Sequence, residues 1–318
     1  MSTVLRPRYR RITLLSAAAL LLLAGCGSGP AQAGSAAIVG ETVIPLEVVQ
    51  GRLSAYLERV PQDGQEVAGQ PKAKLDKTAR DILSYRIQHE LTLRAAQNEG
   101  VTVGEDTLSQ LLEQAGGAEA LSEGTFFDAG TFREERARDQ LLQVEIGRKY
   151  ADKLAVTFDY FYAKDTKEAI EKAKQVALDP AKMETFVNQA KQQVDPQAGE
   201  FNAKVSSAES PTLATTLLFG VAEGTIIAFP PAPDNGNWIV AHVKKRETDA
   251  KPSKEASAQQ LTPDVLAGIG LRVIQPMADK LDIRVNPRYG VWDSAAMGLA
   301  ASEGEKTGFQ VAVRQSKS

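Results

Sequence analysis

The sequence predicts an α+β protein, and three observations carry that reading. Leu83, Ile87, Leu91 and Ala95 recur at i+4 spacing inside a helix-length segment. Val156, Phe158, Tyr160 and Tyr162 alternate with Thr157, Asp159 and Phe161, the period-two pattern of a strand. A last helical segment, 263–281, follows a stretch of linker composition. The first half therefore reads as mainly helical, and the second as a small α/β domain followed by one more helix.

The chain begins with Arg6, Arg8, Arg10 and Arg11 and no acid, followed by an apolar run from Ile12 to Ala24. Basic, short apolar and small-residue regions in that order make a secretory signal, 1–25. Thirteen helical residues span about 20 Å, less than the roughly 30 Å of a hydrocarbon core, so the run is too short to stop in the membrane. Leu23-Ala24-Gly25-Cys26 matches the bacterial lipobox, in which the cysteine thiol receives a diacylglycerol, and Cys26 is the only cysteine of the 318 residues. The expectation is lipidation of Cys26 and a chain held at the extracytoplasmic face of the cell membrane. Several acyl chains meet the two-signal requirement for stable anchoring. An acylated Cys26 leaves no thiol for disulfides or thiolate metal sites.

Removing the four signal arginines from the 37 basic residues leaves 33 against 40 acidic ones, a net charge near −7. That balance argues against a nucleic-acid partner and against electrostatic adhesion to anionic lipid. After the signal, the longest apolar run, Leu213 to Ala222, is interrupted by threonines and Gly220, well short of a membrane span.

Residues 26–36 are small and polar, a flexible tether. Residues 37–44 read as a β-hairpin turning at Gly40-Glu41, with Pro45 opening a helix continued by Val48, Leu53 and Leu57. Pro61 to Pro71 is a polar loop, and 73–98 is the long helix stopped by Gly100. Residues 103–114 form a short helix broken by Gly116-Gly117, and 132–154 another with Leu142, Ile146, Tyr150 and Leu154 on one face. The block 37–154 is thus a helical module with strands at its front edge. In the block 155–246, the strand at 156–162 precedes helices over 166–178 and 181–194 and a less regular stretch. Strands over 225–229 and 238–243 then flank Asp234-Asn235-Gly236, a hairpin signal. Residues 247–260 are a linker by composition, 283–285 a short strand, and 293–318 a tail whose final dozen residues read as frayed.

Ala37-Ile-Val-Gly-Glu-Thr-Val-Ile44, the helix end Ala95-Ala-Gln-Asn-Glu-Gly-Val-Thr-Val103, and Phe132-Arg followed by Arg138-Asp-Gln-Leu-Leu142 occur in an order and spacing that resembles the SurA/PrsA foldases. The resemblance covers most of 37–290. It implies a helical chaperone module at 37–154, a parvulin-type prolyl isomerase domain at 155–246, and a C-terminal helix and strand, 261–292, packing back on the first module. It also implies a degenerate active site. The two histidines of a working parvulin face each other across the substrate proline, and here their slots hold Tyr160 and, within one residue, Trp238. The proline-pocket aromatic is replaced by Leu213 or Ala214, and the glycine-rich loop is missing. No catalytic residue is therefore assigned, and Tyr160 with Trp238 is the candidate aromatic cleft for extended peptide. Of the two histidines, the periodicity turns His89 toward solvent and puts His242 on the strand face of Trp238 and Val240.

No metal ligand cluster, phosphate loop, dinucleotide fingerprint or Gly-x-Ser-x-Gly motif is present, so no metal, cofactor or nucleophile is expected. Repeated βαβ units, which a solute-binding lobe needs, are missing from the early half. The resulting expectation is a membrane-anchored extracytoplasmic chaperone that holds unfolded or newly exported polypeptides in a groove between its two modules. The alternatives are a weak peptidyl-prolyl isomerase, or a lipoprotein adaptor of an envelope complex.

Overall fold

In the computed structural model, residues 34–59, 72–231, 237–251 and 261–313 are described. The signal, Cys26, the loop 61–71 and the turn Asp234-Asn235-Gly236 lie outside the described residues. The chain divides into residues 1–34 and the compact unit Ser35–Ser318.

Strands β1 (Ser35–Val39) and β2 (Thr42–Pro45) pair antiparallel across a turn in which Gly40 takes φ +59°, a conformation open to glycine without a Cβ clash. Strand β7 (Ile283–Val285) adds to the free side of β1, giving the order β2-β1-β7. Ser35 and Ala36, placed in the tether by composition, belong to β1, where their small side chains are both buried.

Helix α1 (Leu46–Arg59) leads to the long α2 (Lys72–Glu99), whose stripe Leu83, Ile87, Leu91 and Ala95 is buried together with Ile82. Gly100 at φ +64° ends α2, and the Val101 amide bonds back to the Ala96 carbonyl in a Schellman-type close. Helices α3 (Glu105–Gln114) and α4 (Ala118–Ser122) follow, divided by Gly116 and Gly117, both at positive φ. Asp128 then opens a helical turn with a reciprocal capping box to Thr131. That turn continues as a π-helical stretch, Phe132–Ala137, into α5 (Arg138–Tyr150). The core of this lobe takes Val39, Ile44, Leu83, Ile87 and Ile146 from the first half, and Ile274, Ala278, Tyr289 and Met297 from the end of the chain.

The second lobe is one antiparallel sheet of order β10-β5-β6-β3-β4. Its strands are β3 (Ala155–Ala163), β4 (Gly199–Ser206), β5 (Thr225–Phe229), β6 (Trp238–Glu247) and β10 (Phe309–Ala312). Helices α6 (Thr166–Leu178) and α7 (Lys182–Gln193) cover one face, burying Phe161, Val176, Val187, Ile226 and Val240. Two 3-10 turns, Leu213–Thr215 and Leu217–Phe219, cover the other with Ile269 of α8 (Pro263–Ala278). Thr262 caps α8 and Pro263 occupies its first turn, the position where a missing amide costs nothing.

Helix α8 therefore serves both lobes. It crosses α5 so closely that a Cβ built on Gly147 would lie 1.8 Å from the Leu266 carbonyl oxygen, and one on Gly270 2.1 Å from that of Gln143. Arg272 of α8 donates to the carbonyls of Thr215 (2.8 Å) and Ala295 (3.0 Å) and to Gln275 Oε1 (2.6 Å). Burial pushes its pKa down to about 10, so it stays charged at neutral pH, held by carbonyl dipoles at the junction. Arg246 reaches the same region and donates to the Phe219 carbonyl at 2.7 Å.

The groove expected between the modules is thus occupied: Val265, Ile269 and Val273 of α8 fill that space. Two further expectations change. The stretch before residue 213 contains β4, hidden because Gly199, Asn202 and polar alternation dilute its pattern, and Asn202 stands at φ +55° beside a register shift. The tail forms β9 (Gly298–Ala300), paired with β8 (Val291–Asp293), and its final dozen residues, read as frayed, supply β10 at the sheet edge. Asp293 organises this segment, accepting from the amides of Ala295 and Thr307 and from the Thr307 hydroxyl. Glu247, given to the linker, is the last residue of β6.

Candidate functional site

Alternation along β3 sends Phe158, Tyr160 and Tyr162 to the face covered by the 3-10 turns, and Phe161 and Ala163 to the face covered by α6 and α7. The three aromatic rings form a row. Phe158 and Tyr160 lie 5.6 Å apart between centroids, and Tyr160 and Tyr162 5.8 Å apart and edge-on, spacings at which aromatic pairs attract. Across the ladder Tyr160 stands opposite Ala241 of β6, which is buried in the core on the same face.

At the end of this row lies an open cleft of about 470 Å³. Tyr160 and Tyr162 line it together with Val194, Gln197 and Asn237, and Lys164 and Asp195 stand among its charged residues. Val194 is 72% exposed, an apolar side chain with little cover of its own. Asp195 caps the local turn, accepting from the Gln197 amide at 2.7 Å. The Tyr160 phenol is held above its usual pKa, chiefly by burial and then by Tyr162 and Glu200, so its hydroxyl remains a donor at neutral pH. The arrangement combines aromatic surface, one aliphatic lip and amide and hydroxyl groups, which suits non-covalent binding of an extended chain.

Trp238 does not share this cleft. It stands opposite Ala163 and packs with Val240 in the core under α6 and α7, on the other face of the sheet from Tyr160. A one-residue offset along a strand exchanges the faces, and the residue opposite Tyr162 is Ile239. The paired Tyr160–Trp238 cleft is therefore corrected to Tyr160 with Tyr162. Leu213 and Ala214 sit in the first 3-10 turn, packed against the tyrosine face. His242 lies on the Trp238 side, opposite Asp159, as the alternation required. Burial lowers its pKa, Asp159 opposes that, and Lys244 adds to it, so the ring is neutral at neutral pH. Asp159 is engaged by Lys244 Nζ at 2.7 Å and by the Asn202 amide at 2.7 Å.

Tyr162 was within reach of sequence reasoning, because it lies two residues from Tyr160 on one strand face. Val194 and Gln197 were not, since they reach the cleft only through the fold-back from α7 into β4.

A second polar cluster ties the helical lobe. His89, expected at the surface, is 12% exposed, and its Nδ1 lies 2.8 Å from the buried Asp139, which also accepts from Tyr85 Oη at 2.7 Å. Asp139 lies on α5, one helical turn after Glu135, and draws the ring inward against the periodicity. Glu135, in the π-helical stretch, accepts from Arg52 and Arg86, both at 2.9 Å. Burial works to raise the Glu135 pKa, and the two arginines overcome it to leave a net lowering. Among the described residues no group of three or more His, Cys, Asp or Glu could hold a metal ion, and no helix is long and apolar enough to cross a membrane.

No family model matches the chain, and no curated protein does. Among solved structures, it is similar to the crystal structure of foldase protein PrsA from Lactococcus lactis. The identity is 12%, over 79% of this chain and 94% of that one, with a TM-score of 0.25. A score of that size does not establish a shared fold.

Proposed function

We propose that this protein is a membrane-anchored extracytoplasmic chaperone that holds unfolded or newly exported polypeptides, with no covalent chemistry. The observation that carries the reading is the Tyr160–Tyr162 cleft: aromatic surface beside the exposed Val194, with no histidine on its face. An extended segment would lay apolar side chains against the rings and Val194, and its backbone amides would meet Gln197 and Asn237. Binding lowers the free concentration of unfolded chain, which slows aggregation by mass action. The lipobox at Cys26 supports the anchoring part of the proposal, and the order of motifs resembling the SurA/PrsA foldases supports the chaperone part.

The test is aggregation of a chemically unfolded protein on dilution, with and without the chain from residue 27, which keeps the whole compact unit. Stoichiometric suppression that is lost in Tyr160→Ala/Tyr162→Ala is the expected result. Suppression undiminished by that double substitution would remove the cleft from the account. For the anchor, mass spectrometry of the N-terminal peptide should find a diacylglycerol-modified Cys26, and an unmodified Cys26 in the membrane-free fraction would refute it.

A further inference from the structure

The C-terminal segment joins the two lobes by unequal attachments. Its β8–β9 hairpin is fixed to α2, where Gln88 Nε2 donates to the Met297 carbonyl at 2.6 Å and the Leu299 amide to Ser84 Oγ at 3.1 Å. The chain then crosses to the other lobe as β10, which lies along the edge of β5. Phe309, Gln310, Val311 and Ala312 stand opposite Ala228, Ile227, Ile226 and Thr225.

The two strands are unlike. All five residues of β5, Thr-Ile-Ile-Ala-Phe, are buried, whereas no residue of β10 is, and Ala312 is exposed. Phe309 and Val311 lean toward the α6 side, and on the other face Gln310 bonds Gln275 at 3.3 Å and Asp279. An open cavity of about 390 Å³ lies between the segment leading into β10 and α6, with Thr166 and Ile170 on one wall and Trp292, Glu303 and Lys306 on the other. Part of that segment therefore spans open space instead of packing down. Among the described residues the far edge of β10 pairs with no strand, and Phe229 of β5 is left unpaired on the β10 side.

An apolar strand with a bare edge is a template for another chain, and proteins cover such edges. Here β10 is the cover, and it also shows what fits: an extended segment with apolar side chains two residues apart and a polar one between them. Exchange replaces one set of ladder hydrogen bonds by an equal set, and a longer strand gains Phe229 as well. We propose that β10 is an exchangeable strand: an extended segment of an unfolded polypeptide displaces it and pairs with β5, its apolar residues in the Phe309 and Val311 positions and a polar one in that of Gln310. The proposal rests on the reading that this protein holds unfolded polypeptides, and it adds a gated place at the sheet edge opposite β4, away from the tyrosine cleft.

The experiment locks the strand in place. The chain from residue 27 has no cysteine, so Thr225→Cys/Ala312→Cys supplies the only two thiols. The Val313 amide bonds the Gly224 carbonyl, which makes the neighbouring Thr225–Ala312 pair a non-hydrogen-bonded one, close enough for a disulfide. The probe is a fluorescein-labelled peptide of residues 308–313, Gly-Phe-Gln-Val-Ala-Val, followed by anisotropy beside the same peptide with proline in place of its first valine, which has no N–H for the ladder. The reduced protein should bind the first peptide saturably and not the second, and the oxidised protein should bind it about tenfold or more weakly. A chain ending at Thr307 has lost the resident competitor and should bind it about a hundredfold more tightly; if that chain does not fold, the locked pair still decides. Tyr160→Ala/Tyr162→Ala should leave this binding unchanged. Equal binding by the oxidised and reduced forms, equal binding of the proline peptide, or no saturable binding to the reduced protein each overturn the proposal. Binding that ignores the lock and is lost in Tyr160→Ala/Tyr162→Ala also overturns it, while leaving the tyrosine cleft standing.

Discussion

Two glycine-to-alanine substitutions should move stability in opposite directions. Gly51 lies exposed in α1 with nothing within 4 Å of a built Cβ, whereas a Cβ on Gly270 in α8 would meet the Gln143 carbonyl oxygen at 2.1 Å. Helix propensity alone favours alanine over glycine by about 1 kcal/mol at both sites. At Gly51 that term acts unopposed, so Gly51→Ala should stabilise by about 0.5–1 kcal/mol. At Gly270, ordinary contact begins near 3.4 Å, so the α5 and α8 backbones must part by more than 1 Å. The clash is with backbone, which no rotamer change relieves. Overpacking of this kind costs about 1–3 kcal/mol, and here the separation also loosens Ile269 and Ile274, which α8 delivers to two different cores. The net effect should be a loss of about 2 kcal/mol, or a fall in Tm of roughly 4–8 °C. Calorimetry on both variants decides. A Tm for Gly270→Ala equal to or above that of the parent would refute the close crossing and the role of α8 as the shared strut.

Three further outcomes follow from the charged clusters and the cleft. Glu135 has its pKa lowered in the folded protein, so its contribution is present above the unfolded carboxylate range and is lost as pH falls through the lower folded value. Melting between pH 7 and 3 should therefore show a smaller acid loss in Glu135→Gln, which starts less stable at neutral pH; parallel curves would contradict the Arg52–Glu135–Arg86 account. His242 has its pKa lowered by burial, so the unfolded chain binds its proton first and stability falls as pH drops below about 6.5. His242→Gln should flatten that stretch of the profile, and an unchanged slope would mean the ring is solvated. Any prolyl isomerase activity measured on a tetrapeptide should be unaffected by His242→Ala, since that ring faces away from Tyr160; a large loss would place the chemistry on the opposite face.

The parts of the fold legible in the sequence were those whose pattern is local. The α2 stripe and the β3 alternation needed only a window of residues, and Gly100 marked its own helix end. Strand β4 was hidden because its period is broken at Asn202, and β10 because its edge pairing to β5 depends on a long-range contact. The glycines of the α5–α8 crossing look like helix-weakening residues in sequence, and only the packing of two distant segments gives them a purpose. The candidate cleft was half legible: Tyr160 was named, but strand register decided between Tyr162 and Trp238. His89 shows the converse, a position that periodicity turned outward and that a buried partner on α5 drew in.

The central claim is that unfolded chains bind at the Tyr160–Tyr162 face, and photocrosslinking tests it most directly. A photoreactive residue at Val194, the exposed lip of the cleft, should crosslink to a chemically unfolded model protein and not to its native form. The crosslink should weaken when Tyr160 and Tyr162 are both alanine. Crosslinking that is equal for native and unfolded forms, or absent while aggregation is still suppressed, would contradict the account.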